Sequence, residues 1–187
     1  LHTFLWSLEM ADRDAQWSIF LHYEWGRARA SKRLIDWVSG DSDKSSLPVP
    51  VVALTGTALS WLLTTSNRFM RDRATKALVR LYEDKLNEFA TLLDRFWAVN
   101  DPYVLERLLA VGYGCAMRSE QTDGLRELAE AVSHHVFRDG RILPQVLSRD
   151  HARGIIECAQ HRGVVAADAF PECRQPYHSR WSNMTIP

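Results

Sequence analysis

The sequence lacks the features that mark secreted and membrane-spanning proteins. Its three cysteines, Cys115, Cys158 and Cys173, are an odd number at uneven spacings, which predicts reduced thiols rather than a disulfide framework. The apolar run between residues 47 and 63 is about fifteen residues long and contains threonine and glycine, so it falls short of the roughly 20 residues that span a bilayer. We therefore expect a cytoplasmic protein without a membrane segment.

The sequence also lacks an excess of charge. Its 23 basic residues balance its 23 acidic residues, so the chain has no overall field that would attract nucleic acid or an anionic membrane. A small basic face formed by Arg27, Arg29, Lys32 and Arg33 indicates a solvated surface rather than a nucleic-acid site. We expect no nucleic-acid and no membrane partner, although balanced charge does not exclude a local basic patch.

Common motifs of nucleotide sites and hydrolases are absent as well. There is no Gly-x-x-x-x-Gly-Lys-Ser/Thr loop, no Gly-x-Gly-x-x-Gly after a strand and no Gly-x-Ser-x-Gly elbow. Gly112 and Gly114 form a Gly-x-Gly pair, but they lie within a predicted helix and lack a third glycine. The sequence therefore predicts no catalytic residue, no cofactor and no metal in this chain.

Helical periodicity is what the sequence does contain. Apolar residues recur at helical spacing along most of the chain, and no segment has a convincing strand pattern. The pattern predicts an all-α fold of antiparallel helix pairs over residues 1–169. Residues 170–187 are predicted to be an irregular, proline-containing tail or linker in which Tyr177 and Trp181 dock on the helices. The residues expected to be buried in the core are Trp61, Leu78, Phe89, Leu93, Leu108 and Leu128.

Local signals place several helix ends. Asn100-Asp101-Pro102 is the strongest helix start, because an acidic cap is followed by proline at the first helical position. The polar run over residues 11–14 predicts a corner or a cap in the first helix. Thr122 or Asp123 is expected to open a later helix, which Gly140 would end.

An Arg-Asp-x-Ala motif occurs twice, at Arg71-Asp72 and at Arg149-Asp150. A related segment contains Asp101, Glu106 and Arg107. These charged residues are candidates for catalysis or for structural ties between helix turns. The structural interpretation is favoured because no histidine, cysteine or serine stands at a repeating distance from the pairs. Loss of either Asp72 or Asp150 is then expected to cost roughly 1–3 kcal/mol if it leaves a partly buried charged hydrogen bond without its partner.

A metal site is the alternative hypothesis. Cys158 and His161 share one face of a predicted helix, His151 lies on the same helix, and Cys173 and His178 follow in sequence. The spacing matches no common closed zinc pattern. The alternative is therefore a small all-α enzyme or metal-binding protein that uses His151, Cys158 and His161.

The segments at residues 101–110 and 71–78 share a pattern of charged and small apolar positions, and both resemble parts of HEAT-type helical repeats. The segment Asp101-Pro102-x-Val104-x-Glu106-Arg107-x-x-Ala110 resembles the Asp-Pro-x-Val-Arg-x-x-Ala sequence that opens the second helix of such a repeat. The segment Arg71-Asp72-x-Ala74-Thr75-x-Ala77-Leu78 resembles its continuation. This resemblance implies helix pairs stacked as a degenerate HEAT-like α-solenoid, in which neighbouring pairs complete one another's core.

A longer series of segments lies at residues 59–68, 71–78, 100–107 and 149–157. This ordered series resembles the helical region downstream of the ATPase in large bacterial STAND-type NTPases, specifically the Avs (antiviral STAND) group. In that family, an effector and an NTPase precede a helical-repeat sensor that recognises a phage protein. The resemblance implies a sensor segment whose partner is a phage protein or another domain of the same chain. Leu1 already lies in an apolar pattern without a basic leader, so we expect the chain to be part of a larger protein.

Overall fold

The computed structural model describes residues 1–25, 29–138 and 142–177, and the regular secondary structure in these ranges is entirely helical. The predicted all-α class is therefore confirmed for the described residues. A π-helical turn, Asp14–Ser18, joins the second and third helices, and 3-10 turns occur at Leu62–Thr64 and Pro171–Cys173. The helices are α1 (His2–Ser7), α2 (Met10–Arg13), α3 (Ile19–Glu24), α4 (Ala30–Ser39), α5 (Val49–Trp61), α6 (Arg68–Tyr82), α7 (Leu86–Trp97), α8 (Pro102–Arg118), α9 (Leu125–Val136) and α10 (Val146–His161).

The helix α6 illustrates how the sequence directs the fold. The Asn67 side chain accepts a hydrogen bond from the backbone N–H of Met70 and so caps the helix. Its buried residues recur every three or four positions, which places them on one face, while Lys76 and Arg80 remain exposed on the other. The helix thus presents one apolar face to the core and one charged face to solvent.

The predicted start of α8 is confirmed. Asp101 accepts hydrogen bonds from the backbone N–H groups of Tyr103 and Val104, and Pro102 occupies the first turn, where no N–H donor is needed. The start of α9 differs slightly from the prediction, since the helix begins at Leu125 after Gly124, whose φ of 78° suits glycine. Gly140, which was expected to end α9, lies outside the described residues.

The first helical segment differs from the prediction. A corner or a cap was expected over residues 11–14, but the chain breaks earlier, at Leu8 and Glu9, and then continues as α2, the π-helical turn and α3. The physical reason is a tertiary contact. The side chain of Arg13 is fully buried and binds Asn100 and Asp101, so a residue expected at a solvent-exposed corner holds this segment to the body.

Contacts between helices follow an alternating order. In one row, α4 packs against α6, α6 against α8 and α8 against α10. In the other row, α5 packs against α7 and α7 against α9. The two rows are joined by contacts between α5 and α6, between α7 and α8, and between α9 and α10. The cationic surface described below lies on the even-numbered row.

The core confirms the predicted buried residues: Trp61, Leu78, Phe89, Leu93, Leu108 and Leu128 are all fully buried. The segment after α10 packs against the body, since the Tyr177 ring stacks on Phe137 and Glu172 accepts a hydrogen bond from Ser133. Trp181, the other residue predicted to dock, lies outside the described residues.

The most apolar helix, α5, has 13 residues, and its face toward the core includes Val52, Leu59 and Trp61. Within the described ranges, no helix combines the length and apolar character that crossing a bilayer requires. Gly56 lets α5 approach α6 closely. A Cβ atom at this position would lie 1.9 Å from the hydroxyl of Tyr82, and that hydroxyl donates a hydrogen bond to the Val52 carbonyl.

We therefore expect Gly56→Ala to destabilise the protein by about 1–3 kcal/mol through overpacking. Without the clash, alanine in a helix interior would stabilise it by roughly 0.5–1 kcal/mol instead. Urea denaturation of the wild type, Gly56→Ala and Gly56→Ala with Tyr82→Phe measures the effect. The double variant should recover part of the loss, because it lacks the hydroxyl. An unchanged or higher midpoint in Gly56→Ala would contradict this packing.

Candidate functional site

Charge is concentrated on α6, although the whole chain has no net charge. The helix contains five basic residues and one acidic residue, Asp72, which leaves a surplus of four positive charges. This helix lies between α4 and α8 in the even-numbered row. Three of its basic residues, Arg68, Lys76 and Arg80, are exposed, so much of the surplus lies on the surface. The five basic residues are Arg68, Arg71, Arg73, Lys76 and Arg80.

Asp36 on α4 is shared between two cations. Its carboxylate accepts hydrogen bonds from Lys32 Nζ at 2.6 Å and from Arg73 Nη2 at 2.5 Å. The hydrogen bond from Lys32, followed by that from Arg73, lowers the pKa of this carboxyl below its usual value. One carboxylate thus faces two positive charges, and the cluster keeps a surplus of one.

Glu83, just after α6, is shared in the same way. It accepts a hydrogen bond from Arg118 Nε at 2.7 Å, and Arg80 Nη1 lies 3.6 Å from its other oxygen. The hydrogen bond with Glu83 raises the pKa of the Arg118 guanidinium. Here too a single carboxylate faces two guanidinium groups, one on α6 and one on α8.

These two clusters border a groove of about 750 Å³ on the even-numbered row. Val79 and Gly114 line the groove where α6 and α8 meet, and a Cβ atom at Gly114 would lie 3.0 Å from Val79 Cγ2. We call this surface the cationic groove. Its lining residues are Ser39, Asp41, Arg73, Thr75, Lys76, Val79, Arg80, Gly114 and Arg118.

The basic face predicted near α4 is partly paired. Arg29 lies 2.6 Å from Glu24, and Lys32 pairs with Asp36. Arg33 is exposed, and Arg27 lies outside the described residues. Among the described residues, the surplus of basic side chains is therefore larger on α6 than on this segment. Counting the charges of each predicted helix would have identified this surplus from the sequence.

The first predicted motif arginine, Arg71, ties α6 to its surroundings. Its Nη1 donates a hydrogen bond to the Thr65 carbonyl at 3.1 Å, six residues earlier in the chain. Its guanidinium lies over the ring of Tyr103 on α8, with 5.0 Å between the guanidinium carbon and the ring centroid. This arginine therefore contacts both the turn before its own helix and the next helix of the row.

The second motif arginine, Arg149, has the same arrangement. Its Nη1 donates to the Leu143 carbonyl at 2.6 Å, again six residues earlier, and its guanidinium lies 5.3 Å from the ring centroid of Tyr177. The arginines of the two motif copies thus make equivalent contacts. Each donates to a backbone carbonyl earlier in the chain and lies over the ring of a tyrosine later in the chain.

The two motif aspartates are not equivalent. Asp72 lies 3.6 Å from Arg107 on α8 and 3.5 Å from Arg68 on its own helix. Among the described residues, Asp150 pairs with Arg153 on its own helix, at 2.7 Å. The Asp72 side chain is 41% exposed and that of Asp150 is 60% exposed.

This exposure lowers the expected effect of removing the aspartates. We expect Asp72→Ala and Asp150→Ala each to cost less than about 1 kcal/mol, because exposed ion pairs are screened by solvent. The larger loss predicted from the sequence required a partly buried charged hydrogen bond. Asp150 is exposed, and Asp72, although half-buried, contacts Arg68 and Arg107 only at 3.5 and 3.6 Å. Urea midpoints of both variants measure this. A loss well above that value would show that the carboxylates do more than pair with neighbouring arginines.

Asp101 and Glu106, in the segment related to the Arg-Asp-x-Ala motif, each contact a residue of another part of the chain. Asp101, besides capping α8, lies 3.3 Å from Arg13 Nη2. Glu106 accepts a hydrogen bond from Gln145, the residue before α10. Sequence reasoning missed Arg13 altogether, because an arginine between two aspartates looks like a surface residue and no local pattern reveals a partner 88 residues away.

The residues of the alternative hypothesis are not brought together as a ligand set. Cys158 is buried with its Sγ 3.3 Å from the Ala116 carbonyl, His161 is exposed, and His151 lies beside Tyr113. Within the described ranges, no group of three or more His, Cys, Asp or Glu side chains is arranged to hold a metal ion. His178 lies outside these ranges.

The geometry thus provides a charged surface and recurring inter-helix ties. Comparison of the chain with protein-family models, with curated proteins and with solved structures gave no match.

Proposed function

We propose that this chain is a non-catalytic scaffold of stacked antiparallel helix pairs, a degenerate HEAT-like α-solenoid that recognises a protein partner. The alternating helix contacts carry the proposal. In an α-solenoid, each pair packs on the next, so first helices contact first helices and second helices contact second helices. The rows α5, α7, α9 and α4, α6, α8, α10 have this order.

The equivalent contacts of Arg71 and Arg149 support a repeat. Each arginine stands near the start of an even-numbered helix, bonds the carbonyl six residues earlier and stacks on a tyrosine that follows in the chain. A repeating tie of this kind stabilises successive units without requiring any chemistry from the charged group.

Exposed side chains support protein recognition. The first 25 residues expose seven large apolar side chains, whereas a solvent-facing helix surface is ordinarily polar. None of these seven residues lines the cationic groove, which offers charged contacts. Both surfaces are typical of protein interfaces rather than of reaction centres. The seven side chains are Leu1, Phe4, Trp6, Met10, Ile19, Phe20 and Tyr23.

The resemblance to the Avs group of STAND-type NTPases extends the proposal. In this reading, the chain is the sensor segment of a larger cytoplasmic bacterial protein in antiphage defence. Its partner would be a phage protein or another domain of the same chain, and the parent protein would supply the ATPase.

Photo-crosslinking in the full-length parent protein tests recognition. A photo-reactive amino acid is placed singly at three exposed positions, Tyr23 on α3, Lys76 on α6 and Glu130 on α9, in cells with and without phage infection. We expect at least one position to give a discrete cross-link to a protein, or to another domain of the parent. In parallel, the purified chain should show no shift in melting temperature with Mg²⁺ and ATP.

Two results together would overturn the proposal. The first is the absence of cross-links at all three positions in both conditions. The second is a clear melting shift or hydrolysis of ATP by the isolated chain, which would point to a site for chemistry.

A further inference from the structure

We propose that the cationic groove binds an acidic segment of the partner protein, with one apolar side chain of that segment seated on Val79 and Gly114. This inference rests on the proposed function and specifies where and how recognition occurs. Because the proposed function allows other faces to bind, the two can fail separately.

The first observation that supports an acidic ligand is the surplus of positive charge around the groove. Asp36 and Glu83 each face two cations, so neither carboxylate neutralises both of its partners. Lys76 projects from the middle of α6 into the same groove, and it takes part in no ion pair with the described residues. Asp41 also lines the groove and offsets one of these charges. A surplus of positive charge remains for an incoming carboxylate.

The base of the groove carries the second step. Val79 is half-buried, and Gly114 has no side chain, so the surface between α6 and α8 is low and apolar at this point. An aliphatic side chain of the bound peptide would be shielded from water by α6 on one side and by α8 on the other. The residues next to it in the peptide could then contact the surrounding cations. A leucine flanked by glutamates has this chemistry.

The same geometry is less suited to nucleic acid. None of the residues that line the groove is aromatic, whereas single strands bind largely by stacking of bases on aromatic rings. The ring of Trp25 lies beside the lining residue Arg73 and is covered by its guanidinium, at 5.6 Å from the ring centroid. We therefore favour an acidic peptide.

Fluorescence anisotropy with defined probes tests the inference on the complete chain. The probe is a short labelled peptide of glutamates around one central leucine. Its controls are the same peptide with glutamine for glutamate, the same peptide with glycine for leucine, and single-stranded oligothymidine of equal length. At about 0.15 M salt, where exposed charges are already well screened, we expect the acidic peptide with leucine to bind most tightly.

Charge variants locate the binding site. Lys76→Glu should weaken binding of the acidic peptide by about three- to tenfold, because it replaces an exposed attraction with a repulsion. Asp41→Asn should strengthen binding, since it removes a repulsive carboxylate. Arg138→Glu is the matched control at an exposed cation outside the groove, and it should change affinity less than about twofold. Melting temperatures of all three variants confirm that each is folded.

Three outcomes would overturn the inference: no binding of the acidic peptide, equal weakening by Lys76→Glu and Arg138→Glu, or no strengthening by Asp41→Asn. Tighter binding of oligothymidine would assign the groove to nucleic acid instead. The acidic peptide can fail to bind while a photo-reactive residue at position 23 or 130 still cross-links to a protein. In that case, the proposed function stands and only the assignment of the binding surface to the cationic groove is wrong.

Discussion

Replacing Asp101 by Ala is expected to destabilise the protein by about 3–5 kcal/mol, because it leaves a buried charge without its partner. Arg13 is fully buried, the Asp101 side chain is only 10% exposed, and the closest approach of their charged atoms is 3.3 Å. The guanidinium also donates to Asn100 Oδ1 at 2.6 Å and lies over the ring of Trp61. None of these contacts can replace the lost carboxylate charge.

Asp101 has a second role that must be separated from the ion pair. Its side chain also caps α8, and loss of a cap costs about 0.5–2 kcal/mol. Asparagine caps helices as well as aspartate does, so Asp101→Asn should retain the cap and lose only the charge. We expect Asp101→Asn to be destabilised less than Asp101→Ala but still clearly below the wild type in urea denaturation.

A double-mutant cycle with Arg13→Met isolates the pair itself. Residues in direct contact are expected to couple, so the double variant Arg13→Met with Asp101→Asn should lose less stability than the sum of the single variants. Strict additivity would mean that Arg13 and Asp101 do not interact. In that case, the packing of α2 on the start of α8 would have to be revised.

Leu108→Ala is the second change with a large expected effect, a loss of about 2–5 kcal/mol. The side chain is fully buried in α8, and this helix packs against α6, α7 and α10. Neighbours on several sides prevent the cavity from collapsing, which adds to the lost transfer free energy. Leu78 is fully buried in α6 and should behave in the same way.

The matched control is Leu54→Ala on α5, where the leucine is 70% exposed. This change should alter the free energy of unfolding by less than about 0.5 kcal/mol, since it removes little buried surface. Urea denaturation of the three variants gives the comparison. Similar small shifts at Leu54, Leu78 and Leu108 would show that the inward faces of α6 and α8 are wrongly assigned.

Features with a local physical cause could be predicted from the sequence. The start of α8 follows from Asp101 and Pro102, because a cap and a fixed φ act within one helical turn. The burial of Leu78 and Leu108 follows from helical spacing alone. These predictions needed no knowledge of how the helices pack.

Features that depend on long-range contacts could not be predicted. Arg13 stands in a polar run, and its burial depends on Asn100 and Asp101, which only tertiary packing brings near. The helical continuation through the π turn has the same origin. No spacing rule covers a contact of this kind, because the helix period relates only residues a few positions apart.

The candidate site was predictable in part. The basic residues of α6 can be counted in the sequence, but the sharing of Asp36 between Lys32 and Arg73 joins two helices and appears only when they pack. The motif pairs at Arg71 and Arg149 were identified as a repeat. Their tyrosine partners, Tyr103 and Tyr177, were not identified, since nothing local links an arginine to a ring in a later element.

Hydrogen–deuterium exchange of the larger protein proposed to contain this chain, with and without the partner that cross-linking would identify, would measure recognition by this chain most directly. We predict slower amide exchange in peptides from residues 1–177 when the partner is bound, strongest in α6 and α8 if the cationic groove is the contact. Unchanged exchange throughout these residues, with slowing confined to other parts of the parent, would contradict the proposal that this chain is the recognition scaffold.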